Sequence, residues 1–221
     1  MVDENNKNSN NSARNAYEIM FNNLLISKGK SIKSIVITSC KPNISKTDVA
    51  INLALSIADA EFKVLLVDAD MRKPPNKYIH NEAMGLYDYL TKDISIEDVI
   101  CESNIENLFY VNFGKANNKL SLLRSHRMEE FIRTASEKYD YIIYDTPSLA
   151  TAIDASVIAP KTDGLILAAE LGRTKIDSLR PAKNQLIMTN SKILGVVLNK
   201  LKRGIFRSYK LYNNFDHLKK V

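Results

Sequence analysis

Residues 34–47 read SIVITSCKPNISKT, from Ser34 to Thr47, and the fold turns on how this stretch is read. The β-branched run Ile35, Val36, Ile37, Thr38 predicts a buried strand. It empties into a loop that ends in Lys46-Thr47, ahead of a helical pattern. That is the outline of a phosphate-binding loop. In the usual form, G-x-x-x-x-G-K-[ST], backbone N–H groups curl around phosphates, the lysine reaches the terminal ones and the hydroxyl holds Mg²⁺. Here Lys46 and Thr47 are in place, but Cys40 and Ser45 occupy the two glycine positions. The chain has seven glycines, and none lies between Gly29 and Gly85. The loop therefore has to be judged by what surrounds it.

Working outward, Asp48 to Ala60 places Val49, Leu53, Ile57 and Ala60 on one stripe, a helix whose N-terminus would face the phosphates. Val64 to Met71, VLLVDADM, predicts a second buried strand ending in Asp68 and Asp70, with Arg72 just after. Strand, helix, strand is the βαβ pattern of a parallel sheet. Further on, Gly85–Leu90 and Ile94–Cys101 read as short helical pieces and Leu108–Val111 as a strand. Arg127–Lys138 is amphipathic through Met128, Phe131, Ile132 and Ala135. It leads into the strand Tyr141–Tyr144, closed by Asp145-Thr146-Pro147. The apolar runs Gly164–Ala168 and Ile193–Asn199 flank a long helix over Thr174–Thr189. Upstream, Ala13–Ser27 repeats apolar residues at three and four, predicting an amphipathic helix laid against the domain. Apolar strands alternating with helices give a doubly wound α/β fold of the P-loop NTPase type. Its sheet is mostly parallel with helices on both faces, and ligands lie at the C-terminal strand ends.

The totals bound this reading. A chain of 221 residues, 45% hydrophobic and 25% charged, makes one globular domain with a full core. We place it at residues 13–203, after a polar, Asn-rich arm at 1–12 expected to be disordered. No apolar run approaches the roughly 18 residues a span needs, and the first residues are polar where a signal peptide is apolar, so a cytoplasmic protein is expected. Cys40 and Cys101 are too few for a disulfide framework or a tetrahedral zinc site. Charge is unevenly spread. Residues 200–221 hold seven basic residues against Asp216 alone, a surplus that equals the net charge of +6 for the whole chain. On composition, a basic tail suits nucleic acid, an anionic membrane surface or an acidic partner.

Asp68, Asp70 and Asp145 each follow an apolar strand. On a parallel sheet they arrive at the same edge as the loop bearing Lys46 and Thr47. Magnesium takes hard oxygen ligands and keeps several waters, so one hydroxyl, one or two carboxylates and nucleotide phosphates make a complete set. Phosphoryl transfer then asks for positioning and charge neutralisation, which Lys46, Mg²⁺ and Arg72 could supply.

These motifs, the loop ending in Lys46-Thr47, VLLVDADMR at 64–72, YIIYDTP at 141–147 and ILGVVLNK at 193–200, together resemble the bacterial tyrosine kinases of capsule and exopolysaccharide operons. The likeness is to the separate cytoplasmic kinase chain of Gram-positive type and covers about residues 13–210. It implies that the loop Pro42, Asn43, Ile44, Ser45, Lys46 and Thr47 cradles ATP, with Lys46 on the β and γ phosphates. Thr47, Asp68 and Asp145 would hold Mg²⁺, Asp68, Asp70 and Arg72 would serve catalysis, and Asn199 would lie near the adenine. It further implies autophosphorylation of tyrosines in the C-terminal tail, here Tyr209 and Tyr212 in residues 204–221. The implied partners are a membrane adaptor that completes the site and recruits the kinase to the inner face of the membrane, further copies in a ring, and a cognate tyrosine phosphatase. Nucleic acid is not among them.

The chain departs from the family pattern in two places. The usual P-G-x-G-K-[ST] reads Pro42-Asn43-Ile44-Ser45-Lys46-Thr47. A glycine replaced where φ is positive costs roughly 1–2 kcal/mol, a position Asn43 tolerates better than most residues. In the first helix, Asn15, Glu18 and Phe21 stand where the ring-forming Glu and two Arg are usual. Two rival readings follow. One is a catalytically weak scaffold for the adaptor or an intact kinase. The other is a positioning ATPase of the Par or Min type, against which Asp70-Met71-Arg72 speaks.

Overall fold

A computed structural model describes residues 3–28, 32–70, 72, 84–114 and 120–199. In chain order the elements are α1 Asp3–Lys28, β1 Ser34–Ser39, α2 Lys46–Asp59, β2 Val64–Asp68, α3 Leu86–Thr91, β3 Cys101–Glu102, β4 Leu108–Val111, α4 Leu120–Leu123, α5 His126–Lys138, β5 Tyr141–Asp145, α6 Asp154–Ile158, β6 Gly164–Glu170, α7 Ile176–Met188 and β7 Ile193–Asn199. The seven strands order as β3-β4-β2-β5-β1-β6-β7. All pairs are parallel except β3 with β4.

Strand alternation divides the core into two layers. Ile35, Ile37, Leu66, Ile143 and Ile166 face α1 and α2, where Phe21, Val49, Leu53 and Ile57 meet them. Val36, Leu65, Val67, Ile142, Tyr144 and Leu165 face the opposite way, toward Leu86, Phe131, Ala155 and Leu186 from α3, α5, α6 and α7. Buried on both faces, β1 and β5 carry continuous apolar runs because a central parallel strand has no solvent side.

The helix α1 is fastened by rings. Phe21, Phe62 and Tyr141 form a three-way edge-to-face cluster, with centroids 5.2 to 5.7 Å apart. Each such pair adds about 0.5–1.5 kcal/mol beyond burial. Phe21 is therefore a core residue, 3% exposed. Its place in the ring motif is filled by a side chain that points inward. The ion pair Arg14–Asp59 at 3.1 Å also spans α1 and α2, but both groups are open to water and it contributes little.

Several expectations are corrected. The arm expected to be disordered at 1–12 is helical from Asp3. Once the packed segment after Arg14 has nucleated a helix, each added turn costs far less than starting one, so poor helix formers are carried along. The strand beginning at Val64 stops at Asp68 rather than Met71, since its β4 and β5 partners end there. Of the helical piece at Ile94–Cys101, only Glu97–Val99 makes a 3₁₀ turn, and Cys101-Glu102 pairs antiparallel with Tyr110 and Phe109. The short α4 and α6 have too few residues to show a period. No described helix is long and apolar enough to cross a membrane. Tyr209, Tyr212 and the rest of the tail lie outside the described residues.

Candidate active site

The loop between β1 and α2 is shaped by its own residues. The Ile44 side chain is buried in the α1/α2 layer and anchors the loop from beneath, while Pro42 and Asn43 are exposed. Asn43 sits at φ 57°, the left-handed position anticipated for it. Ser45 caps α2 at φ −69°, where any L residue is at ease. Losing that second glycine imposes no backbone strain. The helix opens at Lys46, two residues earlier than the apolar stripe predicts, so Lys46 and Thr47 occupy its first turn. The Lys46 N–H turns back to the Ile44 carbonyl at 2.6 Å, and at such a helix start the dipole favours an anion.

Thr47 Oγ1 donates a 2.6 Å hydrogen bond to Asp145 Oδ2. Asp145, 3% exposed, ends β5, and its register partner on the neighbouring strand is Asp68. By strand alternation both carboxylates lie on the α2 side of the sheet. The Asp70 N–H reaches back to Asp68 Oδ1 at 3.0 Å, closing a tight Asx turn after β2. Arg72 then folds onto Asp70, whose Oδ1 accepts from its backbone N–H, Nε and Nη2 at 3.2, 3.3 and 3.2 Å.

The third motif has a mechanical part as well. The Thr146 hydroxyl and N–H both donate to the Ile37 carbonyl, and the Thr38 hydroxyl donates to Pro147 O at 2.6 Å. The Leu149 N–H reaches Ser39 O, and the Ala69 N–H reaches Asp145 O. These bonds lock the ends of β1, β2 and β5 to one another. The carboxylates and the loop thus share one rigid frame.

Two acidic residues escaped the sequence reading. Asp48, in the first turn of α2, follows Thr47 directly. Burial pushes its carboxyl above the ordinary range, the Ser45 hydroxyl bond opposes this, and Asp145 nearby adds to it. Adjacency to Thr47 could have flagged it. Asp154 opens α6 and is 3% exposed, with Arg72 Nη2 at 3.8 Å. Nothing local marks it, because its partner lies in a different motif. Asn199 ends β7 at the same rim, beyond β1 and β6 on the side away from Asp145, and its carbonyl accepts from the Leu171 N–H at 3.2 Å.

No group of three His, Cys, Asp or Glu able to hold a metal occurs among the described residues. A tightly chelated metal is thereby unsupported there. The donor set does fit magnesium, which needs only one or two carboxylates beside phosphate and water. Thr47 Oγ1 and Asp145 Oδ2 are 2.6 Å apart. Neighbouring ligands of an ion held at about 2.1 Å stand a little under 3 Å apart, so the pair needs only slight opening.

A phosphate loop at the strand-order reversal around β1, with a hydroxyl and two acidic strand ends at its mouth, defines a P-loop nucleotide-binding α/β protein. A family model described as an AAA domain matches residues 32–200. The tyrosine-protein kinase CpsD of Streptococcus pneumoniae serotype 4 is 37% identical over 193 residues, covering 86% of this chain and 85% of that protein. The tyrosine-protein kinase YwqD of Bacillus subtilis is 34% identical over 191 residues, covering 85% and 81%. Among solved structures, the kinase domain of VpsO superposes with a TM-score of 0.78 at 30% identity, covering 86% of this chain and 95% of that one. The chain belongs to the bacterial tyrosine-protein kinases.

Proposed function

We propose that this chain is an ATP- and Mg²⁺-dependent protein-tyrosine autokinase that regulates capsular or exopolysaccharide synthesis and export. The observation that carries the reading is the Thr47–Asp145 hydrogen bond beside the paired strand ends of Asp68 and Asp145. The names of the relatives support the activity, and the order of the motifs supports the polysaccharide setting. When bound, Mg²⁺·ATP supplies the transferable γ-phosphoryl group and partly neutralises its oxygens. Lys46 and the N–H groups of the loop from Asn43 to Thr47 bind the phosphates. Thr47, Asp68 and Asp145 hold the ion, and Asn199 borders the base. Asp70 orients Arg72, whose fixed charge meets the phosphoryl group as it moves. Tyr209 and Tyr212 in the 204–221 tail accept it, from a neighbouring copy. A cytoplasmic segment of a membrane adaptor completes the site and recruits the kinase to the inner face of the membrane, where a cognate phosphatase resets it.

The test is incubation of the purified full chain with the adaptor segment and labelled ATP. Label should appear on tyrosine and vanish in the Tyr209→Phe/Tyr212→Phe double variant. Label retained by that variant moves the acceptor elsewhere. No label on the wild type leaves the scaffold reading, for which the glycine-free loop speaks.

A further inference from the structure

We infer that Asp154 is a positioning residue for phosphoryl transfer, holding Arg72 on the α6 side of the rim and away from the carboxylates that serve the metal. This rests on the site reading above and adds a residue to it. Among the described residues Arg72 has two ionic contacts, Asp70 Oδ1 at 3.2 Å and Asp154 Oδ2 at 3.8 Å. The first carboxylate lies on its own loop. The second arrives from α6, whose Ala155 and Ile158 pack in the layer opposite α2. Arg72 is thus drawn between two anions from separate parts of the chain.

The chemistry requires some such restraint. A guanidinium at this rim is attracted to any carboxylate it can reach, and a contact with Asp68 or Asp145 would compete with the divalent ion for the same oxygens. Asp154 comes from α6 rather than from the strand ends that carry Asp68 and Asp145, and its side chain is only 5% exposed against 26% for Arg72. A buried carboxylate is costly unless paired, and among the described residues Arg72 is the cation set beside it. Burial pushes the Asp154 carboxyl above its ordinary range, while Arg72 pulls it down and Asp70 pushes it up. An acid kept in so dry a place serves the cation it faces. At 3.8 Å the contact is longer than a hydrogen bond, so the guanidinium keeps donors free for a phosphoryl oxygen.

The test compares affinity for Mg²⁺·ADP, which the phosphate loop alone should hold, with affinity for Mg²⁺·ADP plus aluminium fluoride, which mimics the phosphoryl group in transit. It is run with the adaptor segment present and needs no turnover. Asp154→Asn should leave Mg²⁺·ADP binding unchanged and cut the fluoride preference about tenfold, the lower end of the loss for one contact with a charged group. Arg72→Gln should cut it equally, and adding Asp154→Asn to Arg72→Gln should do nothing more. If the asparagine variant fails to fold, Asp154→Glu keeps the charge with a longer arm and should retain most of the preference. A fluoride preference in Asp154→Asn equal to wild type overturns the inference. So does an additive double variant, an Asp154→Glu variant that loses the whole preference, or a wild type without one. Lys46→Ala is the separate control: wild-type Mg²⁺·ADP binding by that variant would overturn the site reading itself.

Discussion

The Thr47 hydroxyl donates to the Asp145 carboxylate at 2.6 Å, joining the first turn of α2 to the end of β5 across 98 positions of sequence. Both groups belong to the donor set proposed for magnesium, and they already stand as neighbours. Thr47→Val should therefore weaken Mg²⁺·ADP binding about tenfold while leaving metal-free ADP binding unchanged, in line with roughly 1.5–3 kcal/mol for a bond to a charged group. Lys46→Ala should remove nucleotide binding in both conditions. Calorimetric titration with and without magnesium separates the two. An equal loss for Thr47→Val in both would mean that the hydroxyl serves the loop's shape alone.

The two substituted loop positions should respond differently. Asn43 is held at φ 57°, so Asn43→Val forces a β-branched residue into the left-handed region at about 1–2 kcal/mol. Asn43→Gly should be close to neutral. Ser45, at φ −69°, carries no such strain. Ser45→Gly should tighten nucleotide binding by giving the phosphates room, and as a cap change it should cost stability only a few tenths of a kcal/mol. Denaturant midpoints read alongside ADP affinity check both variants.

Phe21 joins Phe62 and Tyr141 beneath α1. Phe21→Ala should lower stability by about 3–5 kcal/mol, the range for losing a buried phenylalanine. Phe21→Arg, which restores the residue type of the ring motif, should destabilise further without promoting assembly. Urea unfolding and sedimentation decide this, and a stable ring-forming Phe21→Arg would refute the inward placement.

Tyr17 packs between α1 and α2, where burial, assisted by Asp48, pushes its hydroxyl up to about 12. The folded state therefore keeps this proton more tightly than the unfolded chain. The stability so gained is complete below pH 10 and is lost as pH climbs through 12. Its ceiling is about 2–3 kcal/mol. Tyr17→Phe should flatten the fall in melting temperature over that range relative to wild type. Parallel slopes would show that the α1–α2 contact leaves Tyr17 wet.

Much of this was legible in the chain. The strands β1, β5 and β6 lie where continuous apolar runs predict them, because a central parallel strand must be apolar on both faces; β7 also follows its run, although it is an edge strand with Val196 and Leu198 exposed. Asp68, Asp70 and Asp145 were marked by their place at strand ends, since parallel strands deliver all their C-termini to one rim. The antiparallel β3 was not legible. Two residues have no period, and Cys101-Glu102 becomes a strand only because β4 offers an open edge.

What the sequence determined by itself was the layer order and which acids follow the strands, since both are read from local patterns of apolar residues and the acids that close them. The tertiary structure decided which acids meet which partners. It brought Asp145 to Thr47, set Asp154 against Arg72 and turned Phe21 inward, where the ring motif would have had it face another copy. Such pairings join residues far apart in the chain, and their energies exist only once the sheet has closed and water has been expelled from between them.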